Sequence, residues 1–333
     1  MAENKPYVSI ALSVYNVSPF IRQSMDCLIN QSMRDIEILC IDDCSTDDTF
    51  DVLKSYAEKD SRIRLYRHPF NKGLSESRNL AIQVAHGEYI IMLDGDDLFS
   101  EHMAEDAYLK AQETNADMVI WDYVVFYNEC EIPTLTSRPS VLSSISPLDK
   151  IAILRRPAFT CVKLLKLEVL RNLNIHFPEG LTKQDIPVHW QLVVQLDKIA
   201  LLPKRLSYYR QQPGSTSNKK GKTLFDLVTV MDIVGTFLKS HSLYTQYRKE
   251  YLRSRLSLMY GMYDAILPEF KEKALEMILV RYDDDAKQYL YSKRNNLKTR
   301  VNLFYRKLDG CFFSTVLYEL FLSSRKLYRS FSK

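Results

Sequence analysis

Three carboxylates fall within four positions of "IIMLDGDDLFS", the stretch from Ile90 to Ser100. Asp94, Asp96 and Asp97 follow a run of four apolar residues. Like charges this close repel, and each carboxylate resists losing its water. Three arrangements make such a cluster tolerable. A hard divalent cation takes carboxylate oxygens, and Mg²⁺ uses one or two of them together with substrate phosphates. A phosphatase or phosphotransferase also places D-x-D after an apolar strand, with the first Asp as nucleophile. That site usually has Thr or Val at the fifth position, where this chain has Leu98. The third arrangement is an acidic turn in solvent, ahead of a helix opened at Ser100. The motif alone does not choose among them.

The surrounding elements decide what the cluster can face. Apolar runs at Tyr7–Leu12, Ile36–Ile41, Arg62–Arg67, Glu88–Leu93 and Asp117–Phe126 read as strands. Helical patterns alternate with them: one opens at Ser18-Pro19, one follows "STDDT", one lies in "GLSESRNLAIQVA", and one spans Ser100–Thr114. Strand–helix alternation predicts a mostly parallel, doubly wound α/β sheet. Such sheets bind ligands beyond the carboxyl ends of their strands, and Asp42, Asp43 and Asp94 sit at those ends. No G-x-G-x-x-G follows the first strand and no G-x-x-x-x-G-K-[ST] occurs. This argues against a dinucleotide-binding dehydrogenase and a P-loop NTPase. With nine glycines in 333 residues, side chains and a metal are left to hold the phosphates of any nucleotide.

Residues 127–160 read as irregular, and the pattern turns helical from Leu224 onward. Charge divides the chain as well. Residues 1–200 carry 20 Lys+Arg against 29 Asp+Glu, and residues 201–333 carry 25 against 12. A basic tail on an acidic body suits an anionic partner: nucleic acid, a lipid surface or a phosphorylated ligand. A solvated charged face is the plainer reading. Six cysteines make no disulfide framework in a chain of this length, and none completes a zinc site. No signal-peptide core and no membrane-length apolar run is present, so a cytoplasmic protein is expected.

Several longer motifs are more specific than the carboxylates. S-V-Y-N follows strand one, D-D-x-S-T-D follows strand two, N-x-G-x-S-x-x-R-N precedes a helix, and G-E-Y-I-x-x-L-D-x-D-D closes the set. Over about residues 7–125 the chain closely resembles the family-two inverting glycosyltransferases of the GT-A fold. "CVKLLKLEVL", "FPEGLTKQD" and "YYRQQPGSTS" resemble that family's acceptor-side elements. The resemblance implies a GT-A nucleotide-sugar-binding domain over 1–215, its nucleotide half about 1–125 and its acceptor half about 126–215. A helical C-terminal region over 216–333 follows, with a basic amphipathic tail.

The resemblance also implies roles. Ser13 and Tyr15 line the base pocket, with Tyr15 near the nucleobase, and Asp43 accepts the N3–H of uracil. Arg78 lies near the diphosphate or sugar. Asp94 and Asp96 form the D-x-D, with Asp96 nearest a Mn²⁺ or Mg²⁺ ion, and Asp97 orients donor-sugar hydroxyls. Asp185 in "KQD" is the general base, with Gln184 where the family has Glu. Arg210 and Ser215 sit near the ends of a loop that either closes over the diphosphate or is a plain surface loop. Apart from the resemblance, His176 and His189 are candidate acceptor or metal contacts, though a lone histidine is more often structural. The implied reaction is inverting transfer of one sugar from a UDP-sugar to a glycan or lipid-linked acceptor, with no nucleic acid involved. A D-x-D phosphatase and an inactive sugar-binding scaffold are the alternatives. In the tail, Phe313, Val316, Leu317, Leu320, Phe321, Leu327, Tyr328 and Phe331 recur at near-helical spacing among Arg325, Lys326 and Arg329. That pattern suits an anionic membrane surface, a helix packed on the body, or a dimer contact.

Overall fold

The computed structural model describes residues 5–212, 220–292 and 295–331, with side chains through 323. Ser215 and the expected boundary at 215/216 lie outside the described residues. Backbone contacts divide the chain into two units, 1–218 and 219–333.

The first unit is built on one eight-stranded sheet in the order β3-β2-β1-β4-β7-β6-β8-β5. The strands are β1 (Val8–Val14), β2 (Ile36–Asp42), β3 (Ile63–Arg67), β4 (Tyr89–Asp94), β5 (Leu98–Phe99), β6 (Met118–Phe126), β7 (Lys163–Lys166) and β8 (Ile199–Arg210). Six run in one sense, and β5 and β7 run against it. The helices are α1 (Ile21–Ile29), α2 (Thr49–Ala57), α3 (Leu74–Val84), α4 (Met103–Thr114), α5 (Ile132–Thr136), α6 (Lys150–Leu154), α7 (Leu167–Asn172) and α8 (Asp185–Gln195). β1 and β2 are buried along their whole length. That requires cover on both faces, which is why they read as unbroken apolar runs. Val8, Ile10, Leu12 and Val14 share a core with Ile21, Met25 and Leu28 of α1, Val52 and Leu53 of α2, and Met103, Ala104 and Ala107 of α4. Helix α3 lies along β1, β2 and β4.

Some elements differ from their sequence reading for clear reasons. Ser18 does not cap α1. Its amide is taken by Asp47 Oδ2 at 3.0 Å, and the helix proper starts at Ile21. Leu98–Phe99 leaves the acidic turn as a two-residue strand against Ser207 and Tyr208, too short to show a period. β8 is one strand, and its register against β6 shifts around Asp122, where Pro203 and Lys204 are passed over. A proline in a strand is tolerated at such a bulge.

The second unit is helical: α9 (Asp226–Ser240), α10 (Tyr244–Ala265), α11 (Lys271–Arg281), α12 (Asp284–Leu290), α13 (Thr299–Leu308) and α14 (Phe312–Phe331). Val228, Met231 and Val234 of α9 and Leu252, Leu256 and Met259 of α10 are buried. α13 and α14 are separated at Gly310, whose φ of 76° is cheap only for glycine. Ser314 and Tyr318 of α14 are buried, while Phe312, Phe313, Val316, Leu317 and Leu320 stay exposed.

Strand order 3-2-1-4 puts the switch in chain direction between β1 and β4. In register, Ser13 lies opposite Asp94, and Val14 opposite Asp42. One residue on, the Gly95 amide donates to Ser13 O at 3.1 Å. A Cβ at Gly95 would stand 2.5 Å from Val14 Cγ1 and 3.3 Å from Val17 Cγ2. The close approach presses the acidic turn against the end of β1. Gly95→Ala is expected to cost about 1–3 kcal/mol, the usual penalty for overpacking. A urea midpoint that falls with an unchanged slope checks it.

Candidate active site

The rim above β1, β2 and β4 is held by loop-to-loop hydrogen bonds. Asn16, at φ 51°, accepts the Thr46 amide at 2.8 Å, and its own amide donates to Ser45 Oγ at 3.0 Å. The Val17 amide donates to Thr49 Oγ1 at 2.9 Å. S-V-Y-N and D-D-x-S-T-D are therefore two sides of one seam. Asp42 is fully buried, with Arg67 Nε at 3.0 Å and the Ser45 amide on its carboxylate. Asp43 is also buried, and its two oxygens accept the amides of Lys72 and Gly73, each at 2.7 Å. Tyr15 stands exposed just past β1, beside buried Ser13.

The "NKGLSESRN" segment is a clamp between the two halves of the first unit. Gly73, at φ 90°, opens α3. Ser75 Oγ donates to Pro178 O at 2.7 Å. Asn79 Nδ2 donates to Phe177 O at 3.0 Å, and its Oδ1 accepts the Phe177 amide at 2.8 Å. Arg78, 2% exposed, donates through Nη2 to Asp94 at 3.0 Å and through Nη1 to Asp185 Oδ1. Its guanidinium lies over the Phe177 ring at 5.5 Å. Burial works against the Arg78 charge, yet Asp185 and Asp94 outweigh it and push its pKa up. Arg78, expected near the diphosphate, thus joins the end of β4 to the start of α8. Sequence spacing carried no sign of a pairing across 107 positions. Lys183, at φ 61°, makes the turn into α8 and sets Asp185 in its first turn, where a helix end favours an anion.

The acidic turn is short of positive charge. Burial raises Asp94, Arg78 opposes, and Asp96 and Asp185 add to the rise. Burial also raises Asp96, against the Gln212 amide at 3.1 Å and the Arg210 charge. Asp97 is 1% exposed, and burial followed by the charges of Asp96 and Asp94 pushes it well up. Asp97, expected at the donor sugar, lies beneath the turn, with Oδ1 accepting the Arg210 amide at 2.9 Å. Arg210, expected over the diphosphate, is buried. Its Nε donates to Asp96 O at 2.9 Å and its Nη2 to Gln23 Oε1 at 2.8 Å, and it lies over Phe20 and Phe126. His189 is buried and donates through Nε2 to Ile153 O at 3.2 Å. Burial and neighbouring Lys163 depress its pKa to about 3, so it stays a neutral packing residue. His176 lies at the surface, 3.3 Å from Glu179.

Among the described residues, no group of three or more His, Cys, Asp or Glu side chains is placed to hold a metal ion. The donors that are present are hard oxygens, and burial, with the carboxylates' mutual repulsion at Asp94 and Asp97, raises all three in pKa against Arg78 and Arg210. That fits a divalent cation drawing one or two ligands from the turn and the rest from a substrate diphosphate.

The family model described as Glycosyl transferase family 2 matches residues 9–170. The UDP-Glc:alpha-D-GlcNAc-diphosphoundecaprenol beta-1,3-glucosyltransferase WfaP of Escherichia coli is 30% identical over 234 residues, 70% of this chain and 88% of WfaP. Residues 1–349 of TarS from S. aureus, in complex with UDP-GlcNAc, share the fold with a TM-score of 0.59. Identity there is 16%, over 85% of this chain and 91% of that one. The mannosyltransferase PcManGT of Pyrobaculum calidifontis, in complex with GDP-Man and Mn²⁺, gives a TM-score of 0.51 at 13% identity, over 86% and 83% of the two chains. The fold is that of a GT-A glycosyltransferase. The chain belongs to glycosyltransferase family 2, and the phosphatase reading of its D-x-D falls away.

The buried charge of Asp97 gives a test by linkage. A carboxyl raised on folding holds its proton more tightly in the native state, so its contribution is present below the ordinary carboxylate pKa and is lost as pH rises through the native one. Asp97→Asn keeps the acceptor oxygen for the Arg210 amide and removes the charge. In chelator, its melting temperature should exceed the wild type's at pH 8, with a gap that narrows toward pH 4. A gap independent of pH would remove the buried-charge explanation.

Proposed function

We propose that this glycosyltransferase transfers one sugar from a UDP-sugar to a hydroxyl of a glycan or lipid-linked glycan, with inversion at the anomeric carbon and a Mn²⁺ or Mg²⁺ ion. The observation that carries the reading is the Asp94–Arg78–Asp185 bridge, which sets a carboxylate of the acceptor half beside the D-x-D. WfaP, named for a UDP-Glc donor and a diphosphoundecaprenol-linked acceptor, supports the donor and acceptor classes. The PcManGT complex supports a divalent cation.

Tyr15 packs on the nucleobase, and Ser13 closes the pocket beneath it. Asp43, held by two loop amides, offers a remaining lone pair to the uracil N3–H. Asp96 and Asp94 are the residues that would hold the cation, whose charge makes the diphosphate a better leaving group as a Lewis acid. Asp97, Gln212 and Arg210 keep Asp96 in place. Arg210 belongs to the donor side of the site, through its bond to the Asp96 carbonyl. Asp185 takes the proton of the attacking hydroxyl. Arg78 binds its Oδ1 and so fixes where the other oxygen points. General-base catalysis of this kind contributes about 10²–10⁴-fold. Asp185→Asn should therefore bind UDP as the wild type does and lose about 10²–10⁴-fold in transfer, read as the rate at which glycosylated acceptor forms. Near wild-type transfer would move the base elsewhere, and lost UDP binding would make Asp185 structural.

The enzyme works at the cytoplasmic side of a membrane in this reading. No described helix is long and apolar enough to cross one. The exposed face of α14 from Phe312 to Leu320 can lie in a lipid interface, and residues 291–333 supply ten basic against two acidic residues. Anionic lipid adds about 1 kcal/mol per basic residue near the surface. Full-length protein should float with vesicles containing phosphatidylglycerol and remain behind with neutral ones, and Phe313→Glu with Leu320→Glu should abolish flotation. Equal flotation by wild type and double variant would refute the membrane role.

A further inference from the structure

An aromatic cluster stands on the acceptor side of the sheet. Tyr123 of β6 meets Phe159 edge-on at 5.3 Å, and Phe159 meets Tyr209 of β8 at 5.6 Å. All three rings are half-buried, so each keeps part of its surface in solvent. Beside them lies an ion pair, Arg156 Nη2 to Asp122 Oδ1 at 2.7 Å. The cluster adjoins the reacting centre. Tyr209 precedes Arg210, whose amide binds Asp97. Cys161, two residues beyond Phe159, feels the charges of Asp97, Asp94 and Asp185. The nucleotide seam lies across β4 and β7, at the ends of β1 and β2.

The segment that carries Phe159 packs against the core of the sheet and is anchored there by buried polar groups. Lys163 is 2% exposed, and its ammonium donates to Ala158 O at 2.9 Å and to Phe159 O. Burial lowers its pKa to about 8. Ser207 Oγ accepts from Trp121 Nε1 at 2.8 Å and donates to Cys161 O at 2.7 Å. A buried ammonium is an expensive way to fix two carbonyls of a short loop. What it fixes is a phenyl ring that remains partly in solvent. Locking a contact group ahead of binding is how a recognition site lowers its ordering cost.

We propose that Tyr123, Phe159 and Tyr209 form the platform for the acceptor's terminal pyranose ring, with Arg156, held by the buried Asp122 carboxylate, facing its hydroxyls. A pyranose has an apolar face of axial C–H groups and a rim of hydroxyls. Aromatic ring faces carry partial negative charge and attract such C–H groups. The proposal rests on the glycosyltransferase reading and adds the class of group that the acceptor side holds.

The test uses the full chain with UDP and Mg²⁺. Methyl β-glucoside, methyl β-galactoside and methyl N-acetyl-β-glucosaminide are the probes, observed by saturation-transfer NMR and titrated for Kd. At least one should bind, with saturation strongest at its axial C–H protons. Phe159→Leu and Tyr209→Leu, which keep apolar bulk but lose the flat face, should each weaken it at least tenfold. Phe159→Tyr should bind within about threefold of the wild type. UDP affinity should stay within about twofold in all three variants. No binding of any glycoside by the wild type overturns the proposal, as does equal binding by both leucine variants. A parallel loss of UDP affinity overturns it too, since the cluster is then structural. Failure of the wild type to bind UDP would instead strike the donor reading.

Discussion

The guanidinium of Arg78 is almost wholly buried, and it joins two carboxylates that the chain separates by about ninety residues. The juxtaposition of the end of β4 and the start of α8 depends on that bridge. Without it, Asp94 and Asp185 would face each other and Asp96 with no buried cation between them. Removing one partner of a buried ion pair is costly, about 3–5 kcal/mol, because the other charge is left uncompensated. The arrangement is not optimised for stability alone, since Arg78 Nε is buried without a partner.

Around the bridge, loops are made rigid by side chains that bind backbone. Asp43 fixes the entry to α3 through two amides, and Ser75 and Asn79 fix the Phe177–Pro178 segment to the same helix. Gln31 ties α1 to the acidic turn's exit by accepting the Ala104 amide and donating to Ser100 O. Ser24 donates to the carbonyls of Gly95 and Asp97. These bonds hold the carboxylates in place against their own repulsion.

Much of this was legible in the sequence. Strands buried on both faces announce themselves as apolar runs, and their alternation with helices fixed which ends share a rim. Ser13, Asp42, Asp43 and Asp94 could be placed there before any coordinates were known. What the pattern could not carry was the direction of side chains across the sheet. Asp97 is adjacent to Asp96 in sequence, yet it turns under the strand end while Asp96 faces Gln212. Arg210 follows an alternating strand and reads as a mobile loop residue, but two phenyl rings and the Asp96 carbonyl hold it inside. Leu98–Phe99 has too few residues for a period of two to be visible. Non-local pairing set each of these positions, and local propensity is silent about it.

The central claim is that the carboxylates at the end of β4 hold a nucleoside diphosphate through a cation. Titration calorimetry of UDP into the full-length protein, with Mn²⁺ or with excess EDTA, tests it most directly. UDP should bind with Mn²⁺ present, and the affinity should fall at least tenfold in EDTA or in Asp96→Ala. Equal UDP affinity with and without the cation would contradict the claim.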